Sequence, residues 1–386
     1  MDKVYQTSVY IGQVNGQTKR MHIRGKDLKA LQSKVIAMKS ELANGKDVYS
    51  KAIFDKWADK WLIESKMSAG LSDGTITQYK SAITHINRYF GNRELKDIKM
   101  SDFQVMINEL TQCNPNTGRP MAKATLENIV KVASSIFRYA RSNGVAGVPD
   151  YFKDIIISKK AIVTERRSLT LEEQDWIIDT EGECQMPAMI MLFSGIRRGE
   201  LIPLTWADID FNKRCISINK SVEFIRNQPV VKVGGKSSNA TRLVPIPQIL
   251  VDYLLDFIQT QKPKSKYVCA RSNGKMHTKT SFRCMWERYI RNLNKRYGYQ
   301  NIDVSGFSAS DLPLRIERFT PHYLRHTYAT ILYLQKIDVV SAKQYLGHAD
   351  IQTTTNIYTD LENNSFLSIS KEYKRRLKHE YKLSIA

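Results

Sequence analysis

The stretch Thr320-Pro-His-Tyr-Leu-Arg-His-Thr327 places three polar side chains on a predicted helix. Proline is favoured in the first turn of a helix, so Pro321 marks a helix start. His322, Arg325 and His326 follow at the spacing i, i+3 and i+4, which brings them to one helix face. The pattern therefore predicts a helix with a face that can carry chemistry.

Two histidines at i and i+4 are also typical of zinc sites, and His348 could then supply a third ligand. Arg325 lies between the candidate ligands and would repel the ion. The motif also contains no acidic partner. Both features disfavour the zinc interpretation, and we expect no metal and no other cofactor.

Downstream lies the segment Leu346-Gly-His-Ala-Asp-Ile-Gln-Thr-Thr-Thr-Asn-Ile-Tyr-Thr359, in which His348 precedes Tyr358 by ten residues. The stretch between them is polar and rich in threonine. A lone tyrosine is far more often a structural phenol than a nucleophile. Tyr358 therefore becomes a candidate nucleophile only in combination with the other motifs.

Upstream, Gly195-Ile-Arg-Arg-Gly-Glu-Leu201 follows an apolar helical stretch. A glycine followed by an arginine at a helix start can direct the guanidinium of Arg197 towards an anion, beside free backbone N–H groups. Pairs of arginine and glutamate are common on helix surfaces, so this motif is weak when taken alone.

A glycine-rich turn, Val233-Gly-Gly-Lys-Ser-Ser238, lies between these two regions. A lysine on such a turn, here Lys236, is expected to project outward and to be mobile. It could donate a proton to a leaving oxygen, or it could be a solvated turn residue. The turn taken alone favours the second interpretation.

The chain has 386 residues and a formal net charge of +21, from 59 Lys and Arg against 38 Asp and Glu. This length predicts two or three domains. A hydrophobic content of 42% and a charged content of 25% exclude disorder over the whole chain. The excess of cations favours a polyanionic partner, of which nucleic acid is the commonest.

The longest uninterrupted apolar stretch, Met186–Phe193, is too short to span a bilayer. The first residues lack the apolar core of a secretory signal. Five scattered cysteines, with no CxxC pair, argue against a disulfide framework and a cysteine-based zinc finger. We therefore expect a reduced, cytoplasmic protein without a membrane partner.

The patterning separates three regions and a linker. Residues 1–48 predict a β-hairpin, which turns near Asn15-Gly-Gln17, and a helix that stops at Gly45. This region carries nine Lys and Arg against four Asp and Glu, a net charge of +5. A small basic unit of this kind resembles a DNA-binding module, although a region this short could equally be a structural appendage.

Residues 49–150 predict helices with apolar stripes, which we interpret as core. Residues 151–167 are predicted to form a linker, and Ser168-Leu-Thr-Leu-Glu-Glu resembles a helix start. Residues 168–386 predict helices around a β segment and a basic helix near the end. The predicted β runs are CISIN, SVEFIR, PVVKV and TRLVPIP, between residues 215 and 247.

Taken in order, Arg197, Lys236, His322-x-x-Arg325, Gly347-His348 and Tyr358 resemble the tyrosine recombinase (phage integrase) family. The resemblance covers roughly residues 168–365. Residues 49–150 resemble the helical, SAM-like core-binding domain of that family. Residues 1–48 resemble the arm-binding module of integrases from temperate phages and conjugative transposons.

The resemblance implies a multidomain fold: a small hairpin-and-helix module, an all-α core-binding domain and a mixed α+β catalytic domain. It also implies that Tyr358 attacks the scissile phosphate, which leaves a 3′-phosphotyrosyl bond and a free 5′-hydroxyl. Because that bond stores the phosphodiester energy, neither ATP nor a metal is required. Arg197 and Arg325 would bind the non-bridging oxygens.

The remaining roles follow from the same resemblance. Lys236 would be the general acid for the leaving 5′-oxygen, with Lys232 as the alternative if the hairpin register differs. His322 would take the phenolic proton and His348 would bind the phosphate, although these two roles could be exchanged. His326 and Glu200 would orient their neighbours.

By resemblance, the chain would be a site-specific integrase that works as a DNA-bridged homotetramer on core-type and arm-type attachment sites. An excisionase and a DNA-bending host protein are implied partners. The segment after Tyr358 would pack on a neighbouring protomer. The ten-residue spacing from His348 to Tyr358 resembles the conjugative-transposon type, and the purpose of Leu293–Glu317 is unassigned.

Four other functions remain as alternatives. A type IB topoisomerase shares the phenol chemistry, but the Gly347-His348 motif and the N-terminal module favour recombination. A chromosome-dimer-resolving recombinase usually lacks an arm-binding module. A DNA-binding regulator would not need all six catalytic candidates. A zinc hydrolase would need the metal that is disfavoured above.

Overall fold

The structure is a computed structural model that describes residues 4–14, 17–43, 52–163, 167–234, 241–348, 350–363 and 371–383. The chain divides into two units, residues 1–164 and 165–386. Among the described residues, the buried hydrophobic side chains form one large cluster in the second unit and two clusters in the first.

A hairpin and a helix begin the first unit. These elements are β1 (Tyr5–Val14), β2 (Gln17–Gly25) and α1 (Leu28–Ala43). The strands are antiparallel, with Thr7 opposite Ile23. Val9 and Ile23 pack with Leu31 of the helix in a small core. The predicted hairpin and helix are confirmed, while the turn at residues 15–16 and the helix end at Gly45 lie outside the described residues.

Four α-helices follow in the described part of the first unit. They are α2 (Phe54–Trp61), α3 (Asp73–Phe90), α4 (Met100–Gln112) and α5 (Lys123–Ser142). The predicted apolar stripes face inward, since Ile86 of α3 and Ile136 of α5 are fully buried. Trp61 is buried as well, and its ring meets Tyr79 edge-on with centroids 5.3 Å apart.

The segment predicted to be a linker contributes to this core. Tyr151 and Phe152 are buried, and the ring of Phe152 lies 4.8 Å from Phe137 and 5.1 Å from Phe103 between centroids. Ala161 is buried in the same cluster. A short apolar pair has no periodicity, so the sequence pattern did not distinguish these anchors from a linker.

The second unit is an α+β assembly. Its helices are α6 (Leu171–Asp179), α7 (Gln185–Ser194), α8 (Arg198–Leu201), α9 (Gln248–Gln261), α10 (Lys279–Tyr297), α11 (Pro321–Leu334), α12 (Val339–Leu346), α13 (Ile351–Asn363) and α14 (Lys371–His379). Every residue of α7 is buried, and this helix packs against α11. The predicted helix start near Ser168 is confirmed, because Thr170 and Glu173 cap α6 reciprocally.

Short strands lie between α8 and α9. They are β3 (Ile209–Asp210), β4 (Cys215–Ile218), β5 (Lys220–Ile225), β6 (Gln228–Val233) and β7 (Arg242–Pro245). β3, β4 and β7 form one antiparallel sheet, and β5 and β6 form a separate hairpin. Arg226 and Asn227 join that hairpin, and both have positive φ angles, as a tight two-residue loop requires. The predicted β runs are confirmed.

The C-terminal segment packs on its own unit. Tyr381 is fully buried, and its ring lies 5.0 Å from Phe193 between centroids. Gln335 donates to the carbonyl of Tyr381 at 2.7 Å and accepts from the N–H of Leu383 at 3.2 Å. The ion pair of Arg376 with Asp175 adds a charged contact. These contacts lie within one chain, and the expected packing of this segment on a neighbouring protomer stays a prediction.

The helices were also compared with the length and apolarity that a bilayer requires. Over the ranges that the structure describes, none is long and apolar enough to cross a membrane.

Candidate active site

Two turns hold the guanidinium of Arg325. The first follows α7, where Gly195 has a φ of +61° and any Cβ would lie 2.5 Å from the ring of Tyr328. Arg325 donates to the carbonyl of Gly195 at 2.6 Å and also to the carbonyl of Leu346, at the end of α12. Its burial, together with the charges of Arg197 and Arg242, lowers the pKa of Arg325 to about 9. An anion beside this guanidinium would therefore be stabilised strongly.

Arg197 caps the N-terminus of α8 and reaches the second of these turns. Its backbone N–H and Nη1 donate to the carboxylate of Glu200 at 2.8 and 3.0 Å. Its Nη2 donates to the carbonyl of Gly347 at 2.8 Å. These hydrogen bonds fix the side chain of Arg197. Because it is 43% exposed, it is still accessible to a ligand.

Arg197, His322 and Arg325 line one cleft of about 390 Å³. Thr320 and Pro321 at the start of α11 also line it, as do residues 196, 198 and 199 beside Arg197. The N-terminus of a helix carries positive partial charge, which adds to that of the two guanidiniums. The structure thus brings together three of the six predicted site residues around a space that suits an anion.

His348 lies near this group and is partly buried. Its Nδ1 is 2.8 Å from the hydroxyl of Thr354, which is itself fully buried. Burial, followed by the charges of Arg325 and Arg197, lowers the pKa of His348 to about 3. The imidazole is therefore neutral at physiological pH and can donate or accept a hydrogen bond without carrying charge.

Tyr358 does not line the cleft. It is 7% exposed, and its hydroxyl donates to the carbonyl of Ile337 at 3.3 Å. Its ring packs edge-on against Tyr333 with centroids 5.0 Å apart, in a different cavity of about 360 Å³. Burial, with smaller effects from Asp338 and Tyr333, raises the pKa of this phenol above its ordinary value. The predicted nucleophile is thus held away from the guanidiniums in this structure.

The two lysine candidates differ in what the structure describes. Lys236 falls in the connection between β6 and β7 and lies outside the described residues. Lys232, the alternative, lies on β6 and forms an ion pair with Glu223 of β5. The register of β5 and β6 pairs Ser221 with Lys232.

Sequence reasoning missed Arg242. This residue on β7 is buried, and it binds both carboxylate oxygens of Glu200 at 3.1 and 2.8 Å. Burial alone would raise the pKa of Glu200, but hydrogen bonds and charge from Arg242, together with Arg197, lower it to about 2. The signal was present in the sequence, because strand alternation puts Arg242 on the same inward face as Val244.

The chemistry of the lining identifies the anion site better than its size does. A larger cavity of about 900 Å³ occupies another part of the second unit. Four carboxylates line that cavity and would repel a phosphate: Asp179, Glu181, Glu183 and Asp256. Across the described parts of the chain, no group of three or more His, Cys, Asp or Glu side chains could hold a metal ion.

Two family models match the chain. The model of the Phage integrase family matches residues 175–365, which include the whole candidate site. The model of the Phage integrase N-terminal SAM-like domain matches residues 53–111, which include α2, α3 and all but the last residue of α4. Together they match about two thirds of the chain.

The chain is also similar to curated proteins named tyrosine recombinases. A protein named Tyrosine recombinase XerC-like, from Caldanaerobacter subterraneus subsp. tengcongensis, is 26% identical over 92% of this chain and 92% of its own length. Tyrosine recombinase XerA from Thermococcus onnurineus is 28% identical over 50% of this chain and 57% of its own length.

Solved structures share the fold. The Tn1549 transposon integrase in complex with a circular intermediate DNA superposes with a TM-score of 0.63 and 17% identity, over 80% of this chain and 95% of that chain. A lambda integrase dimer bound to a COC′ core site gives a TM-score of 0.55 and 18% identity, over 90% and 91%. A lambda integrase tetramer bound to a Holliday junction gives a TM-score of 0.53 and 18% identity, over 88% of this chain and 89% of that chain.

Proposed function

Because the chain belongs to the phage integrase family and is a tyrosine-type site-specific DNA recombinase, we propose that it integrates or excises a mobile DNA element. In this proposal Tyr358 is the nucleophile, and Arg197, Lys236, His322, Arg325 and His348 assist it.

The observation that carries the proposal is the convergence of Arg197 and Arg325 on one cleft. Both guanidiniums are tied to the same turn, through the carbonyls of Leu346 and Gly347. Two cations held side by side can bind the two non-bridging oxygens of a phosphodiester. They would stabilise the charge that builds up on those oxygens in the transition state.

In the proposed cleavage step, one phosphorus–oxygen bond forms as another breaks. The phenolic oxygen of Tyr358 forms a bond to phosphorus, and the bond from phosphorus to the 5′-oxygen breaks. Lys236 gives the leaving oxygen its proton, with Lys232 as the alternative donor. His322 accepts the phenolic proton, while neutral His348 donates a hydrogen bond to the phosphate. Rejoining reverses these steps, so no high-energy cofactor is consumed.

Tyr358 has to leave its hydrogen bond with Ile337 before it can attack. The hydroxyl faces the cavity beside Tyr333 and Asp338, whereas the phosphate would occupy the cleft beside Arg325. We propose that DNA binding and assembly shift the segment that carries Tyr358. Because even an unperturbed phenol has a pKa of about 10, a proton acceptor is necessary at the attack position.

The partners in this proposal are double-stranded DNA and further copies of the chain. Residues 1–48 would bind arm-type sites, and residues 49–150 with the catalytic domain would bind core-type sites. The likeness to a lambda integrase tetramer on a Holliday junction supports a DNA-bridged homotetramer. An excisionase and a DNA-bending host protein would set the direction. Because the substrate would be a bacterial chromosome, the protein would act in the cytoplasm, at the nucleoid.

A covalent-capture experiment tests the function. The protein and Tyr358→Phe are incubated separately with fragmented DNA from the source genome, quenched in SDS, and the DNA that stays attached to protein is sequenced. We expect one enriched sequence with the parent and none with the variant, because the phenolic oxygen is the only atom removed.

Capture by Tyr358→Phe as well would assign the nucleophile to another residue. Binding by both proteins without any capture would favour a DNA-binding regulator. Binding should also weaken steeply with salt, because phosphate contacts supply much of the affinity. A flat salt response would contradict the electrostatic part of the proposal.

A further inference from the structure

A buried ion pair lies directly behind the cleft that would bind the scissile phosphate. We propose that Arg242 is a positioning residue for DNA cleavage, which holds Glu200 and, through Glu200, the guanidinium of Arg197. This inference rests on the proposed function, since it takes Arg197 to be a phosphate ligand.

Arg242 makes a hydrogen bond with each of its three side-chain nitrogens. Nε donates to the carbonyl of Tyr345 at 2.8 Å, while Nη1 and Nη2 bind the two oxygens of Glu200 at 3.1 and 2.8 Å. The side chain is only 2% exposed. Because a guanidinium is planar, three bonds fix its plane, and an ammonium group could not replace all of them.

Glu200 transmits this orientation to Arg197. Its carboxylate accepts both the backbone N–H and Nη1 of Arg197, at 2.8 and 3.0 Å. A carboxylate that is fixed by Arg242 on one side therefore fixes Arg197 on the other. Because Arg242 fixes the two carboxylate oxygens of Glu200, they cannot move with the guanidinium of Arg197 if that side chain rotates.

The same arginine also supports the turn before His348. Arg242 binds the carbonyl of Tyr345, and Arg197 binds that of Gly347. A Cβ at Gly347 would lie 2.8 Å from Cζ of Arg242, so the turn rests directly against this guanidinium. Arg242 is thus in contact both with α8, whose start carries Arg197, and with the turn before His348.

Three guanidiniums face the carboxylate of Glu200, each from a different element. Arg197 approaches from the start of α8, Arg242 from β7 and Arg325 from α11. Burial opposes ionisation of Glu200, and Arg242 is the largest influence that favours it. Removing Arg242 should therefore raise the pKa of Glu200 and let it titrate in the range where cleavage is measured.

The test compares single-turnover formation of the covalent adduct in Arg242→Met, Arg242→Lys and the parent. The substrate is a nicked duplex of the sequence that covalent capture enriches, at saturating protein and between pH 5.5 and 8.5. The matched control is Arg288→Lys, which alters an exposed pair with Glu183 at 3.2 Å. The dissociation constant for the same duplex is measured alongside.

We expect both Arg242 variants to bind the duplex within about threefold of the parent and to form the adduct at least about tenfold more slowly. In Arg242→Met the rate should also fall as the pH decreases, because protonated Glu200 no longer holds Arg197. Adding Glu200→Gln should abolish this acidic limb. The control should stay within about twofold of the parent. A merely structural role would lower the folded fraction without creating a pH limb that depends on Glu200.

An unchanged rate per bound complex in a folded variant, or an acidic limb that survives Glu200→Gln, would overturn the assignment. If Arg242→Met does not fold, Arg242→Lys supplies the rate comparison. If the parent forms no adduct, the proposed function has failed. The positioning role is then decided by crystal structures, in which Arg197 should leave the carbonyl of Gly347 in Arg242→Lys, and an unmoved Arg197 refutes it.

Discussion

Arg197 donates from Nη2 to the carbonyl oxygen of Gly347 at 2.8 Å, and this bond joins two motifs that lie 150 residues apart in the chain. The arginine comes from the turn after α7, and the carbonyl comes from the turn after α12. The phosphate ligands of the proposed site are therefore held in one network of backbone carbonyls.

Gly347→Ala should disrupt this network. The residue has a φ of +63°, and a new Cβ would collide with the guanidinium of Arg242. We expect a loss of about 2 kcal/mol in the free energy of unfolding and at least tenfold slower cleavage. Gly274→Ala is the matched control, because its φ is +75° with open space around it. Urea denaturation measures both, and equal losses would show that the collision with Arg242 has no effect.

Thr354→Val should slow cleavage without weakening DNA binding. The Thr354 hydroxyl lies 2.8 Å from Nδ1 of His348 and orients the imidazole. Losing one hydrogen bond corresponds to about tenfold in rate. Thr355→Val removes a hydroxyl that bonds the backbone of its own helix and should leave the rate unchanged. The measurement is single-turnover adduct formation, and similar rates in the two variants would contradict the role of Thr354.

Glu200→Gln should alter how stability depends on pH. The folded-state pKa of about 2 lies below the ordinary 4.5, so the ionised carboxylate stabilises the fold above pH 4.5. That contribution is lost as the pH falls from 4.5 towards 2. From pH 7 to pH 3.5 the parent should lose about 1.4 kcal/mol more than the variant.

The comparison uses urea denaturation at both pH values. Glu183→Gln, which alters a pair that is 50% exposed on the carboxylate side, should follow the parent. At neutral pH Glu200→Gln should be the less stable protein, since it leaves the charge of Arg242 buried with a neutral partner. A Glu200 variant with the full acid sensitivity of the parent would refute the assigned pKa.

Phe152→Ala should destabilise the first unit although it falls in a segment with the composition of a linker. The ring is buried between Phe103 and Phe137, and such truncations cost about 3 kcal/mol or more. Ile156→Ala, at a position that is 71% exposed, should change stability by less than about 0.5 kcal/mol. Thermal unfolding measures both, and a tolerant Phe152 would restore the linker interpretation.

Tyr358 should resist chemical acetylation in the free protein. It is 7% exposed and its hydroxyl is bonded to Ile337, whereas Tyr5 is 41% exposed. Mass spectrometry after treatment with N-acetylimidazole should find Tyr5 modified first. Binding of the captured DNA should then raise the labelling of Tyr358 if that segment moves. Equal labelling of the two tyrosines in the free protein would contradict the burial.

The sequence was most informative where the relevant contacts are local. The spacing of His322 and Arg325 predicted a shared helix face, and both side chains line the same cleft. Alternation and glycine turns similarly located the strands between residues 215 and 247. Short-range periodicity depends on backbone geometry alone, so one chain without relatives is enough to reveal it.

Long-range pairing and conformational state were not predictable in this way. The pair of Arg242 with Glu200 joins residues 42 positions apart, and no periodicity connects a strand to a helix cap. The combination of motifs made Tyr358 the candidate nucleophile, but its burial against Tyr333 depends on how α13 packs. Tyr151 and Phe152 were read as linker because their aromatic contacts are with helices distant in sequence.

The C-terminal segment has a consequence for assembly. Tyr381, Leu383 and Arg376 all bind surfaces of their own chain, and an identical chain offers identical surfaces. Exchange of these segments between neighbours would preserve each contact, so its enthalpy would change little. The equilibrium between the exchanged and the unexchanged form would then depend on the effective concentration of the neighbouring protomer. That concentration is low for free protomers and reaches about the millimolar range for protomers tethered side by side. DNA that binds several copies would therefore make the exchanged form accessible, whereas free protomers at low concentration would keep the contacts within one chain.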